Sequence, residues 1–432
     1  MIPKIELAST AEIKSFQEQK LLGLLEYVNA NSPFYKRLFA NQNIDVTTIK
    51  TIEDLQFLPV TTKEDLQKFN DDFLCVPTHK IIDYATTSGT LGEPVTFGLS
   101  DNDLERLAYN EAISFDCAGI KQGDVVQLMT TIDRRFMAGL AYFLGLRKMK
   151  VGVIRVGAGI PELQWDSILK YKPTYLITVP SFLLKMIEYA ESHGIDYNNS
   201  CVKGAICIGE SLRNQDFSPS MLTKKITDKW NIKLFSTYAS TEMSTAFTEC
   251  EHGKGGHHHP ELIIVEVLDE NNKPVKNGEL GELTFTTLGI EAMPLLRFKT
   301  GDIVQLHDES CQCGRTTLRV GPIIGRKQQM IKYKGTTLYP PAMNDVLTHF
   351  ENIENYVIEI FTNDLGTDEI VIKIAVTKET DTFLQELKDH FRAKLRVTPK
   401  IEFTTNEELL PLIYNPMSRK PIHFFDKRKS VF

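Results

Sequence analysis

Apolar positions near the start of the chain recur with helical spacing: Ile13, Phe16, Leu21, Leu24, Leu25 and Val28 approximate one face of a helix. Asn31-Ser32-Pro33 interrupts that face, because a proline disfavours helix in the residue before it. From about residue 120 the pattern changes to short runs rich in β-branched and aromatic residues: VVQLM, VGVIRV, TYLITV, GAICIG and KLFSTY. Spans with helical spacing separate them, such as SFLLKMIEYAESHG, which ends on Gly194. Strand and helix in alternation predict a largely parallel sheet covered by helices, with ligands gathering at the carboxyl ends of the strands.

After residue 260, LIIVEVLD and ELTFTT flank the turn-rich DENNKPVKNGELG, which predicts an antiparallel section. The last hundred or so residues read as a small α+β unit. A helix at PAMNDVLTHF precedes strands at YVIEIF and EIVIKIAV, then a helix with Leu384, Leu387, Phe391 and Leu395 on one face, then a strand at KIEFTT. The expectation is an α/β protein with a large N-terminal domain of parallel and mixed sheets, residues 1–327, and a small α+β domain, residues 328–432.

Composition changes this picture little. The 432 residues are 42% hydrophobic and 24% charged, as in an ordinary globular protein. A net charge of -7 argues against a general nucleic-acid surface. No run approaches the roughly 20 apolar residues that span a bilayer, and the N-terminus lacks the apolar centre of a signal peptide. Seven cysteines, an odd number, without such a signal favour a reducing cytoplasm. Cys75, Cys117, Cys201 and Cys207 stand singly in apolar or mixed segments and read as small buried hydrophobes.

Chemistry first appears at TTSGTLGEP, Thr86 to Pro94, where hydroxyls and Gly89 and Gly92 crowd a loop ahead of a strand. Such a loop can present consecutive amides and hydroxyls to a phosphate, although a polar surface turn has the same composition. Glu93-Pro94 after Gly92 excludes the GxxxxGK[ST] loop of kinases and GTPases.

Three later segments join it in order: YASTE at Tyr238 to Glu242, RFKTGD at Arg297 to Asp302, and GRKQQMIKYKG at Gly325 to Gly335. NSPFYKRLF, FLPVTTKEDL, TVPSFLL and CQCGR add to the likeness. Together they resemble the adenylate-forming superfamily, most closely its phenylacetate–coenzyme A ligase branch, over nearly the whole chain.

That resemblance implies ATP, Mg²⁺ and coenzyme A as cofactors, and a two-step reaction through an acyl-adenylate. Thr87, Ser88, Gly89 and Thr90 would contact the phosphates, Glu242 would hold Mg²⁺, and Thr241 would meet the α-phosphate. Tyr238, Ala239 and Ser240, with the Gly209-Glu210-Ser211 turn, would surround the adenine, and Asp302 and Arg326 the ribose side. Lys420 would enter the site for adenylation, Gln328 would be the hinge of a mobile C-terminal domain, and Lys334 and Gly335 would line the coenzyme A arm. Phe136, Ala138 and Gly139 would shape the acyl pocket. Three positions depart from the family: Ala239 replaces a common glycine, Arg419 stands where glycine usually precedes the lysine, and Gln328 replaces an acid or lysine. Relatives are often homodimers, and the implied substrates are small molecules without nucleic acid or membrane. A carrier-protein thiol, another aromatic acid, or a non-catalytic nucleotide- or zinc-binding protein of the same fold are the alternatives.

A second constellation comprises Cys250, His257, Cys311 and Cys313. Its C-x-C and C-x6-H spacings supply four ligands, enough to close a structural zinc site, with His252, His258 and His259 as nearby substitutes for His257.

Overall fold

The computed structural model describes residues 2–87, 94–363, 367–414 and 421–428. It divides into two compact units: residues 1–219, 223–300 and 304–322 form the larger, and 220–222, 301–303 and 323–432 the smaller. Asp302 and Arg326, which the sequence reading places in the large domain, count with the smaller unit.

The larger unit begins with α1 (Thr10–Asn31), opened by a capping box between Ser9 and Glu12. Its buried face is Ile13, Gln17, Leu21, Leu24, Leu25 and Val28. Phe16, expected on that face, is only half-buried; Gln17 turns inward instead, and its amide donates to the carbonyls of Pro260 at 3.1 Å and Ile263 at 3.0 Å. Ser32 ends α1 and caps α2 (Pro33–Asn41), with Pro33 in the first turn, where its missing N–H costs nothing. A further helix, α3 (Lys63–Phe69), precedes the antiparallel pair β1 (Asp83–Thr86) and β2 (Thr96–Leu99).

Next come α4 (Asp101–Cys117), β3 (Val125–Leu128), α5 (Met137–Lys148), β4 (Gly152–Arg155), α6 (Pro161–Tyr171), β5 (Tyr175–Thr178), α7 (Pro180–Ser192), β6 (Gly204–Ile208), β7 (Lys233–Ser240) and β8 (Thr245–Thr248). The sheet runs β8-β7-β6-β5-β3-β4, parallel from β7 to β4, with β8 antiparallel to β7. Every residue of β6 is buried, as a strand covered on both faces requires. Gly194 ends α7 with φ +66°, while Ile195 donates back to Ala190 at 2.9 Å. Ile263–Leu268 and Leu280–Thr287 form the expected antiparallel pair. Of the four isolated cysteines, Cys75, Cys117 and Cys207 are buried and Cys201 is exposed.

Helices α4 and α5 pack so closely that a Cβ on Gly145 would lie 2.4 Å from Cβ of Glu111. Glu111 is 4% exposed and receives a single hydrogen bond, 3.1 Å from the Asn110 side-chain amide. Burial pushes its carboxyl up to about 8 from 4.5, the Asn110 bond opposing. A pKa raised on folding means stability is greatest below about 4.5 and declines as pH rises towards about 8. Glu111→Gln is therefore expected to stabilise the protein at pH 8 by on the order of 4 kcal/mol and to change little at pH 4.5, read by denaturant melts at both pH values. Equal effects at the two pH values would contradict a neutral, buried Glu111.

The smaller unit has a four-stranded sheet in the order Lys400–Phe403, Asp368–Val376, Ile353–Thr362, Phe424–Asp426. Its central pair is antiparallel and its flanking pairs parallel. Ile358, Ile360, Ile370, Ile372, Leu387 and Phe391 make its core. In the helix Asp381–Leu395 the buried positions are Phe383, Leu387 and Phe391, so Phe383 takes the place expected for Leu384. No helix among the described residues is long and apolar enough to cross a membrane.

Candidate active site and metal centre

Parallel pairing of β6 with β7, Ile208 opposite Thr237, sets the turn after β6 beside the end of β7. Gly209 turns the chain with φ +79°, a conformation that glycine adopts without a Cβ penalty. Glu210, expected at the adenine, accepts from the backbone N–H and the hydroxyl of Ser181, each at 2.9 Å. It thereby caps the first turn of α7, whose own preceding residue, Val179, has no capping side chain. The Ser211 hydroxyl donates to the Arg213 carbonyl at 2.8 Å.

At the end of β7, Tyr238 pairs with Phe247 of β8 and their rings stack at 6.1 Å. Ala239 is exposed, while Ser240, Thr241 and Glu242 are half-buried. Ser240 opposes Thr245, so Thr241 to Ser244 form the connecting turn. The Ser240 hydroxyl accepts from Met243 N at 3.2 Å, and the Ser244 hydroxyl donates to the Thr241 carbonyl at 3.2 Å. Among the described residues the Glu242 carboxylate makes no hydrogen bond or ion pair, unlike that of Glu210. That leaves it available to a cation. A hard divalent ion such as Mg²⁺ takes one or two carboxylates plus substrate oxygens, which suits this donor.

Thr87 closes the neck of the glycine-containing loop: its N–H donates to the Val95 carbonyl and its hydroxyl accepts from Val95 N, each at 3.0 Å. Ser88, Gly89 and Thr90 lie outside the described residues, as does Lys420. Phe136 precedes α5 and is half-buried, and Ala138 packs on the core. Gly139 has a packing reason to be small, since a Cβ there would fall 1.9 Å from the Thr131 carbonyl oxygen.

Arg297, the first residue of RFKTGD, is 1% exposed, and its Nε and Nη2 reach the Glu266 carboxylate at 3.0 to 3.2 Å. It also donates to the carbonyls of Leu58 and Asn272, so its motif position serves packing within the larger unit. Such a buried pair, broken on one side, leaves a charge without compensation.

In the smaller unit, Asp302 faces Arg326 across an antiparallel pair, with Nε 3.3 Å from Oδ1. The two candidate ribose residues are therefore neighbours. Gln328 lies in a short 3-10 turn whose carbonyl accepts from Arg428 at 3.2 Å. Arg428 also reaches the Met330 carbonyl at 2.8 Å and Asp368 at 3.1 Å. Lys334 (φ +49°) and Gly335 (φ +78°) form the two-residue turn between Ile331–Tyr333 and Thr336–Leu338. Positive φ at both positions is the hairpin geometry that favours glycine second, so this turn by itself accounts for Gly335.

Cys250, His257, Cys311 and Cys313 converge, with one potential ligand atom from each lying within 4.8 Å of all the others. The Cys250 and Cys311 sulfurs are 3.6 Å apart, and Cys313 Sγ is 3.5 Å from His257 Nε2. On a tetrahedral ion with Zn–S of about 2.3 Å, two thiolates would be about 3.8 Å apart and a thiolate and imidazole about 3.6 Å. The donor set fits zinc, and 3.6 Å is far beyond a disulfide bond. Burial raises the Cys313 thiol, but hydrogen bonds donated to its sulfur by His257 and Arg315 outweigh it and hold it at about 5. Burial pushes the Cys250 thiol the other way, up to about 12.

His258 and His259 are engaged elsewhere. His258 Nε2 is 2.6 Å from the Ile263 carbonyl, and His259 Nδ1 is 2.6 Å from Glu6. Glu6 is fully buried and also accepts from Arg315 Nε at 2.6 Å, while Arg315 Nη1 lies 3.6 Å from Cys313 Sγ. Arg315 thus stands as a charged partner behind the Cys313 sulfur, a placement that would orient it toward an ion. Sequence reasoning missed Glu6, Arg315 and Arg106, the last a buried arginine on α4. No local pattern marks Glu6 or Arg106, because their partners lie a hundred or more residues away; Arg315 ends the CQCGR segment, which gives no sign of its bond to Glu6.

Residues 40–291 match the family described as AMP-binding enzyme. The phenylacetate-coenzyme A ligase of Thermus thermophilus is 29% identical over 87% of this chain and 84% of its own length. That of Escherichia coli is 28% identical over 91% of this chain and 89% of its own. Among solved structures, 2-hydroxyisobutyryl-CoA ligase in the postadenylation state, in complex with R3-HIB-AMP, superposes with a TM-score of 0.86. The match covers 98% of this chain and 92% of that one at 23% identity, a likeness of fold.

Proposed function

The chain belongs to the AMP-binding enzyme family and is an adenylate-forming coenzyme A ligase, and we propose that the acid it activates is phenylacetate. The acid's carboxylate attacks the α-phosphorus of ATP and pyrophosphate leaves. The coenzyme A thiol, losing its proton, then attacks the acyl carbon and AMP leaves. The first step joins two anions, so fixed positive charge at the α-phosphate matters most there.

In this reading Thr241 donates to the α-phosphate, and Glu242 would hold Mg²⁺, which when bound neutralises phosphate charge. Tyr238, Ala239 and Ser240 flank the adenine with the Gly209–Ser211 backbone, and Asp302 and Arg326 take the ribose side. Residues 328–432 serve as the lid, pivoting at Gln328, with Lys420 acting in adenylation and the Lys334-Gly335 turn meeting coenzyme A. Phe136, Ala138 and Gly139 border the acyl group. Zinc on Cys250, His257, Cys311 and Cys313 would be structural, since four protein ligands leave no open position. Thiols kept free for such a site suit a reducing cytoplasm.

The observation that carries the reading is the turn after β7, the strand paired with β6, which offers a hydroxyl and a carboxylate unengaged among the described residues. Acid-dependent exchange of pyrophosphate into ATP, followed by coenzyme A-dependent AMP release, tests it across a panel of aryl and arylalkyl acids. Phenylacetate is expected to give the highest kcat/KM, by about tenfold over benzoate. A better acid in the panel would replace phenylacetate, and AMP release that ignored coenzyme A would point to a different thiol acceptor.

A further inference from the structure

Arg106 projects from α4 and is 9% exposed. Its guanidinium makes four hydrogen bonds to three distant segments. Nε donates to the Leu288 carbonyl at 2.7 Å, Nη1 to the Ser244 carbonyl at 2.7 Å, and Nη2 to the Leu262 carbonyl at 2.6 Å and Thr245 Oγ1 at 3.1 Å. All four acceptors are neutral. Burial pushes the guanidinium down to about 10, with Asp103 and Glu261 opposing, so it remains charged at neutral pH.

Two of those bonds fall on one feature. Ser244 is the last residue of the Thr241–Ser244 turn and Thr245 the first residue of β8, so the far end of the turn is fastened by a single rigid fork. Ser244 is held there at φ +45°, a left-handed conformation that a non-glycine residue adopts only when its surroundings hold it. The same helix adds a second tie one turn later, where Asn110 Oδ1 accepts from Ala246 N at 3.0 Å. Within the turn, Ser244 and Met243 bond back to Ser240 and Thr241, the Ser244 hydroxyl also lies 3.8 Å from Met137 Sδ, and Glu242 is left without a protein partner among the described residues. The direction of that carboxylate is therefore set by the turn's backbone, whose far end Arg106 fastens with two bonds.

We propose that Arg106 is a positioning residue: it locks the turn so that Glu242 meets a phosphate-bound divalent cation without reorganisation. The proposal rests on the reading of Glu242 given above. Loss of the fork leaves α4 and β8 in place but lets the turn sample other directions, which weakens cation binding more than the chemical step.

The test is the Mg²⁺ dependence of acid-dependent pyrophosphate exchange, with thioester formation from supplied acyl-adenylate as the second readout. Arg106→Lys keeps the charge and loses the fork; Thr245→Val removes one acceptor with little change of shape. Half-saturating Mg²⁺ is expected to rise about tenfold in the first and about threefold in the second, with the rate at saturating Mg²⁺ within about twofold. Thioester formation should stay as in the unaltered protein. In a Glu242→Gln background neither substitution should shift the Mg²⁺ dependence further, because the group being aimed is gone.

Folded variants with unaltered Mg²⁺ dependence, or shifts that add to that of Glu242→Gln, would overturn the proposal. If Arg106→Lys does not fold, Thr245→Val decides. A Glu242→Gln protein with normal Mg²⁺ dependence overturns the assignment of Glu242 itself, and with it the positioning role.

Discussion

Lys420→Ala is expected to reduce acid-dependent exchange of pyrophosphate into ATP by roughly two to three orders of magnitude, and to leave thioester formation from supplied acyl-adenylate within about threefold. The asymmetry follows from charge. Adenylation drives a carboxylate onto a phosphate, and an ammonium fixed at the developing negative charge is worth about 3–4 kcal/mol in a site shielded from water. The second step breaks a mixed anhydride that has already lost the pyrophosphate charge, so it gains far less from the same cation. Lys420 lies outside the described residues, but both flanks of its segment are anchored. Ile422 donates to the Ile413 carbonyl at 2.9 Å, and Phe424 pairs in parallel with Ile358. Beyond them Arg428 reaches the carbonyls of Gln328 and Met330. Equal losses in both half-reactions would remove Lys420 from the adenylation step.

Cys311→Ser is expected to abolish zinc binding and lower thermal stability by several degrees, with a strong chelator reproducing the shift in the unaltered protein. An ion that binds only the folded chain stabilises it by about 4 kcal/mol when its free concentration is a thousandfold above Kd. A serine hydroxyl is a poor substitute for a thiolate ligand, and the buried Cys250 sulfur, 3.6 Å from Cys311, would lose the ion proposed between them. Adenylation at a temperature where both proteins are folded should persist, which separates a structural ion from a reacting one. Metal analysis checks the first half directly: undiminished zinc in Cys311→Ser would take Cys311 out of the ligand set.

The alternating segments between residues 120 and 240 were legible because a strand buried on both faces leaves an unbroken apolar run, as GAICIG does in β6. Helix faces were legible to within a residue. Gln17 replaced Phe16 because two carbonyls 243 and 246 residues away gave its amide partners. Phe383 displaced Leu384 because both are apolar and only the packing separates them. The grouping of Cys250, His257, Cys311 and Cys313 was readable from local spacing, whereas Glu6, which bonds Arg315 beside it, was not. Arg297 lies within the RFKTGD motif yet bonds a buried carboxylate, and Glu210, in the turn whose backbone is expected at the adenine, uses its side chain on the first turn of a helix. Motif membership records that a position matters without saying whether it touches ligand or framework. The glycine-containing loop and the Lys420 segment stand as sequence readings alone, because their central residues are outside the described chain.

Glu6 and Arg315 are separated by 309 positions, and Thr316 adds a backbone bond to the Glu6 carbonyl at 2.9 Å. During synthesis Glu6 emerges 309 residues ahead of Arg315 and waits for that partner while the intervening chain is made. At roughly 5–20 residues per second that delay is tens of seconds. The larger unit therefore completes late, and this late contact is also the one that backs Cys313. The core of the smaller unit, drawn from residues 331–424, starts to leave the ribosome only after that contact can form. The order of emergence thus lets that contact form before the core of the smaller unit has begun to emerge.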